Sequence, residues 1–297
     1  MKKYTLIALA LTLGCKAVNQ QHKMEAKFPD FSAEAHRGGR GLMPENTIIA
    51  MLDAMNYDKI TTLEMDTHIT KDNQVVVTHD DYLSPGFMLT PEGKEIPTAD
   101  AKKYAIFQMD YDVLKKFDIG SKVNAGFKQQ KKVKTYIPLL ADLIDSVQNE
   151  IKLKGKKQYF YNIETKCDTD GDNIVNPTPE LFVKLLMDVI ERKKITPYVV
   201  IQSFDKRTIQ IINKKYPKVK TSFLIEKKKA YEEYMADLGY KPFILSPNYK
   251  FVDDELVRKA HADGVKIIPW TVNTPTEMAR LKALKVDGII SDYPNLF

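Results

Sequence analysis

From residue 31 onward, short apolar runs alternate with longer amphipathic segments. The runs at 31–35, 61–65, 159–164, 198–203, 220–225, 243–246, 265–270 and 288–291 have the length and largely continuous apolar character of buried parallel strands. Between them, apolar residues recur at helical spacing over 46–57, 139–149, 179–193, 205–216, 230–238, 253–262 and 275–284. In the first of these segments Ile48, Ile49, Met51, Leu52 and Met55 share a face, with Asn46 or Thr47 as the cap. Asp205 is placed to cap the helix that follows it. A further short run, 75–77, follows a turn at 71–74. Eight strands alternating with seven helices predict a (β/α)8 TIM barrel without its final helix. A doubly wound open sheet is the competing architecture. No Gly-x-Gly-x-x-Gly follows the first strand, which weighs against a dinucleotide site.

Residues 81–135 break the alternation, with turn signals at Ser84-Pro85-Gly86 and Pro91-Glu92-Gly93 and few long apolar runs. A structureless loop of that length is unusual inside a compact domain. The segment therefore reads as an insertion after the second strand, a small subdomain or a lid.

The composition is consistent with this picture. The chain has 297 residues and is 43% apolar, enough for a sizeable core and against general disorder. The net charge of +6 is spread over short lysine groups such as Lys131-Lys132 and 227–229, which reads as a solvated surface. No basic stripe with interleaved aromatics is present, so nucleic acid is not an expected partner.

The N-terminus carries a different signal. Lys2-Lys3 precedes an apolar run at 4–13, too short to span a bilayer, and Gly14-Cys15 follows. That order resembles a bacterial lipoprotein signal that leaves Cys15 as a lipidated first residue; ordinary secretion is the alternative. The expectation is an exported protein, periplasmic or lipid-anchored, with 1–25 as signal and tether and 26–297 as the working domain. Residues 16–31 read as a polar tether. The other cysteine is Cys167. With Cys15 lipidated or removed, no intrachain disulfide is expected, and no cysteine-based metal site can be built.

The chemistry collects at the strand ends, where such barrels place their working residues. In chain order these ends carry His36-Arg37, Glu64-Met65-Asp66, Glu164-Thr165-Lys166, Gln202-Ser203, Glu226, Ser246 to Asn248, Trp270 and Asp292. Glu64 and Asp66 lie two apart on a strand, so their carboxylates face the same way and can share a hard cation, with Glu164 as a third ligand. His36 and His79 are acid–base candidates, because imidazole titrates near neutrality. Arg37 and Lys166 suit a phosphate oxyanion. Trp270 can wall the pocket, where its π face would suit a quaternary ammonium, or belong to the core. Asp80 has no clear role, and His68 can point into the site. His22 and His261 read as tether and surface. The run Asp168 to Asp172 resembles a calcium loop, but its Gly falls too early and no Glu closes it, so it reads as a solvated loop.

Together His36-Arg37-Gly38, Pro44-Glu45-Asn46-Thr47, Glu64-x-Asp66, Thr70-Lys71-Asp72, His79-Asp80, Glu164-x-Lys166, Gln202-Ser203-Phe204, Trp270-Thr271-Val272-Asn273 and 286–294 resemble the glycerophosphodiester phosphodiesterase family. The resemblance runs from about residue 32 to 297. It implies a (β/α)8 barrel with an insertion after the second strand and a divalent metal, Ca²⁺ or Mg²⁺. It further implies Glu64, Asp66 and Glu164 as ligands, His36 and His79 as acid and base, and Arg37 and Lys166 on the phosphate. The expected activity is hydrolysis of small glycerophosphodiesters to glycerol 3-phosphate and an alcohol. A lyase of the phospholipase C or D kind acting on phospholipid head groups is the alternative, and a non-catalytic binder of phosphorylated ligands a more distant one. The His36–Gly41 stretch is richer in Gly and Arg than many members.

Overall fold

The computed structural model describes residues 26–297; the expected export signal and the Cys15 anchor lie outside them. The strands are β1 (Ser32–Ala35), β2 (Thr62–Ile69), β3 (Val75–Val77), β4 (Phe160–Thr165), β5 (Val199–Ser203), β6 (Lys220–Ile225), β7 (Ile244–Pro247), β8 (Lys266–Ile267) and β9 (Gly288–Ser291). They pair in the order β8-β7-β6-β5-β4-β2-β1-β9, all parallel, with β3 antiparallel on the far end of β2. The ring is completed by backbone bonds between the β8 and β9 segments. Asp287 N–H donates to the Ile267 carbonyl at 2.9 Å, Ile290 N–H to Pro269 at 3.0 Å, and Val272 N–H to Ile290 at 2.9 Å. This is the expected (β/α)8 barrel. The strand expected over 265–270 is shorter as a ladder because Pro269 has an acceptor and no donor to offer.

Helices α1 (Ile48–Ala54), α2 (Tyr111–Leu114), α3 (Leu140–Lys154), α4 (Pro179–Arg192), α5 (Lys206–Lys215), α6 (Tyr231–Leu238), α7 (Asp254–Ala262) and α8 (Pro275–Ala283) follow in chain order. Side-chain oxygens of Thr47, Thr178, Asp205, Asp253 and Thr274 accept first-turn N–H groups and start five of them. A 3-10 turn, Pro294–Leu296, follows β9.

Alternation along each strand divides the barrel into two environments. Leu63, Met65, Tyr161, Ile163 and Ile201 join the core between sheet and helices. The intervening residues Glu34, Glu64, Asp66, Asn162, Glu164 and Gln202 are buried and polar. This corrects the expectation of largely continuous apolar strands. The helix-facing side is mainly apolar, and the upper interior is lined for chemistry.

The lower interior is closed by Phe28, Phe160, Val200, Ile244, Ile268 and Ile290. Phe28 meets Phe160 edge-on at 5.0 Å and Phe243 at 5.1 Å. The segment expected to be tether up to residue 31 therefore includes the plug of the barrel floor. Between β3 and α3 the chain forms a second core, with Leu83, Met88, Ile106, Leu114, Phe117 and Ile119 packed together apart from the barrel core.

Replacing Phe28 with Ala removes that plug. The expected loss is about 3–5 kcal/mol of unfolding free energy, read from urea denaturation, with the strand order unchanged. A loss under about 0.5 kcal/mol would show that the floor is sealed without it.

Candidate active site

Glu64 and Asp66 point to the same side of β2, and the register sets Asp66 directly beside Glu164 on β4. Ligand-capable oxygens of Glu64, Asp66 and Glu164 all lie within 4.8 Å of one another, and all three residues are buried. Three carboxylates this close cannot all ionise without added positive charge. Burial, reinforced by Asp66, pushes the Glu64 carboxyl well above its usual range, and burial likewise raises Glu164. For Asp66 burial acts upward, but the charges of Arg37, His79 and Lys166 outweigh it and hold the group below the usual range.

Neighbouring donors fix each acid. Glu64 accepts the Arg37 backbone N–H at 2.7 Å on one oxygen and the Gln202 amide at 2.7 Å on the other. Asp66 Oδ2 accepts from Asn46 Nδ2 at 2.8 Å and lies 3.2 Å from Arg37 Nε. Lys166 Nζ donates to Glu164 at 2.9 Å. Asp66 Oδ1, by contrast, is buried with no hydrogen-bond partner. A buried acceptor left alone is costly, and a hard cation bound through oxygen would satisfy it. The donor set fits such an ion: three acids, no sulfur and one buried oxygen without a partner.

The loop after β1 makes this geometry possible. Arg37 adopts φ 51° and Asn46 φ 57°, both left-handed. Gly38 follows at φ 76°, where a Cβ would sit 2.8 Å from that of Ala50. The turn aims the Arg37 N–H at Glu64 and folds its guanidinium back to Glu45 at 2.9 Å. Of the two residues expected to cap α1, Thr47 does so, while Asn46 serves Asp66 instead.

Both expected acid–base histidines line one cavity together with Arg37, Glu64, Glu164 and Trp270. His36 Nδ1 lies 2.6 Å from Asp292 Oδ1, leaving Nε2 as its other face. Burial lowers the His36 pKa, with Asp292 opposing; Asp292 itself is held below its usual range because His36 and Arg40 outweigh its burial. His79 Nδ1 lies 2.6 Å from Asp80 and its Nε2 lies 3.1 Å from Lys166 Nζ. Asp80 thereby gains a role, as the partner of His79. His68 is fully buried, with Nε2 at 3.0 Å from the His79 carbonyl, and supports the loop. Trp270 donates its indole N–H to Ser246 O at 2.9 Å and meets Phe204 edge-on at 5.4 Å. Those two rings also wall a wider cleft of about 430 Å³ that shares His79 and Glu164 with the first cavity. In the Asp168 to Asp172 loop Asp168, Thr169 and Asp170 are exposed, as expected of a solvated loop, and Arg207 anchors its end by holding Asp172 at 2.6 Å. His261 is on the surface, paired with Asp287 at 2.8 Å.

The sequence matches the profile of the glycerophosphoryl diester phosphodiesterase family over residues 36–296. A glycerophosphodiester phosphodiesterase of Bacillus subtilis is 29% identical over 308 residues, spanning 100% of this chain and 98% of its own. Another, from Caldanaerobacter subterraneus subsp. tengcongensis, is 29% identical over 260 residues, spanning 88% and 93%. A solved Oleispira antarctica phosphodiesterase, in complex with the product sn-glycerol-3-phosphate, has a TM-score of 0.69 at 22% identity, covering 89% and 93% of the chains. A crystal structure from Silicibacter pomeroyi DSS-3 has a TM-score of 0.78 at 24% identity, covering 92% and 93%. At these identities the structural likeness speaks for the fold.

Below the acids a chain of polar groups runs across the barrel. Glu34 accepts from Ser32 at 2.9 Å and from Asn162 at 2.7 Å, and Asn162 Nδ2 reaches Gln202 Oε1 at 3.1 Å. Burial pushes the Glu34 carboxyl up to about 7, with those two hydrogen bonds opposing. A raised pKa means that stability from the protonated form is fully present below about 4.5 and falls as pH rises to about 7. The loss over that window is on the order of 3 kcal/mol. Glu34→Gln should flatten this part of the stability–pH curve in urea denaturation, whereas an unchanged slope would assign it to other groups.

Proposed function

Because the chain belongs to the glycerophosphoryl diester phosphodiesterase family and is an enzyme that hydrolyses glycerophosphodiesters, we propose how it does so: Glu64, Asp66 and Glu164 hold a divalent cation, Ca²⁺ or Mg²⁺, and His36 and His79 move the protons. The observation carrying this reading is the buried acid triad with its unpartnered Asp66 oxygen, two of whose members, Glu64 and Glu164, line one cavity with both imidazoles. The sn-glycerol-3-phosphate bound to the Oleispira antarctica neighbour supports a glycerol phosphate product.

When bound, the cation would polarise a phosphoryl oxygen and offset charge in the transition state. Arg37 and Lys166 add fixed positive charge on the same phosphate. His36, kept neutral by burial and oriented by Asp292, accepts the proton of the attacking hydroxyl at Nε2. With water as the nucleophile, its oxygen bonds to phosphorus as the bond to the alcohol breaks and glycerol phosphate results directly; with the glycerol hydroxyl, the same exchange gives a cyclic phosphate, which a water then opens with the proton roles of the two histidines reversed. As the phosphate draws Lys166 Nζ away from His79 Nε2, that nitrogen, protonated while Nδ1 stays on Asp80, gives its proton to the departing alkoxide. Trp270 and Phe204 wall the cleft that takes the alcohol, and Asp81 and Glu226 at its edge suit one bearing an ammonium group.

Turnover of glycerophosphocholine and glycerophosphoethanolamine should be abolished by chelator and restored by Ca²⁺ or Mg²⁺. Release of a cyclic phosphate from intact phospholipid would identify a lyase instead. His36→Ala and His79→Ala should each lower kcat by about 10²–10⁴ with the circular dichroism spectrum retained. Normal turnover in either variant would remove it from the proton-transfer scheme.

A further inference from the structure

The insertion that follows β3 touches the β1 loop at Leu42 and at Arg40, a charged residue that the reaction scheme leaves unused. Its guanidinium lies over the Phe127 ring at 4.8 Å. Gln130 donates to its carbonyl at 2.7 Å, and the Lys131 N–H donates to Leu42 O at 2.8 Å. On the other side, Arg40 Nε donates at 2.7 Å to Asp292 Oδ1, the same oxygen that lies 2.6 Å from His36 Nδ1. The second Asp292 oxygen accepts from Asn273 Nδ2 at 2.6 Å. Contacts therefore run without a break from Phe127, through Arg40 and Asp292, to the His36 ring.

We propose that Arg40 is a positioning residue, clamped by Phe127 of the insertion, that orients Asp292 and through it fixes the His36 ring with its proton on Nδ1. The proposal rests on His36 being a proton-transfer residue. A carboxylate holding an imidazole works only if its own plane is fixed, since a free carboxylate rotates and takes the ring with it. Asn273 pins one oxygen and Arg40 pins the other. The stacking of Phe127 beneath the guanidinium restricts the one long, flexible side chain in this set. The insertion thus has a task at the reaction centre although its own residues stand outside the acid triad and the histidine pair.

The test uses the full chain. Arg40→Gln should lower kcat on glycerophosphocholine by on the order of ten- to a hundredfold, with KM changed by less than about twofold and the divalent-cation binding isotherm unmoved. Phe127→Ala should give a smaller fall in the same sense, and Phe127→Tyr, which keeps the π face, should recover it. ¹⁵N shifts of the His36 ring should report Nδ1 protonation in the parent chain and a tautomer mixture in Arg40→Gln. Phe127→Leu preserves apolar bulk and reads the same coupling if Arg40→Gln fails to fold. A rise in KM at constant kcat would make Arg40 a substrate contact and overturn the proposal, as would unchanged His36 shifts. Retained activity in His36→Ala would fail the underlying scheme and with it the positioning role of Arg40, whereas lost activity in His36→Ala with unchanged ring shifts in Arg40→Gln would overturn the proposal alone.

Discussion

Mutual repulsion among Glu64, Asp66 and Glu164 sets the terms for the rest of the barrel mouth. Their oxygens lie within 4.8 Å of one another in a place water does not reach freely. At such spacing the Coulomb cost is several kcal/mol even in a fairly polarisable interior, on the order of 4 kcal/mol per pair near 4 Å. Nothing in the apolar core can offset that. The surrounding sequence does so with Arg37, which serves both Glu64 and Asp66, and with Lys166 on Glu164, Asn46 on Asp66 and Gln202 on Glu64.

The same constraint explains the shape of the loop after β1. An extended chain leaving His36 would carry Arg37 away from the acids. The left-handed turn at Arg37 and Gly38 brings the backbone N–H to Glu64 and the guanidinium between Asp66 and Glu45. A second reversal at Asn46 presents its amide to Asp66 before α1 begins at Ile48. Electrostatic demand and backbone conformation are thus met by one short stretch, and His36 is carried into position at its start.

Much of this was legible in the chain. Glu64 and Asp66 could be paired because a two-residue spacing on a strand is a statement about direction, independent of the rest of the fold. Glu164, Lys166 and Trp270 followed once the strands were counted, since their place at strand ends is local information. Asp292 stood at a strand end too, but its role depends on β9 lying beside β1, which only ring closure supplies. Arg40 carried little local signal, because the partners that place it at His36, Phe127 and Asp292, are distant in sequence. Asn46 looked like a helix cap, and the stronger local claim of Thr47 freed it for Asp66. Glu34 was hidden by two alanine neighbours that made β1 read as an apolar run. The insertion could be marked off by its broken rhythm, yet its small core follows no single period and could not be drawn in advance.

Calorimetric titration of the full chain with Ca²⁺ and Mg²⁺ at neutral pH, beside Asp66→Asn, tests the central claim most directly. The account predicts one ion bound per parent chain and a loss of that binding when the Asp66 carboxylate becomes an amide. Binding of equal strength in both proteins, or none in the parent, would mean that the three buried acids meet for some other reason.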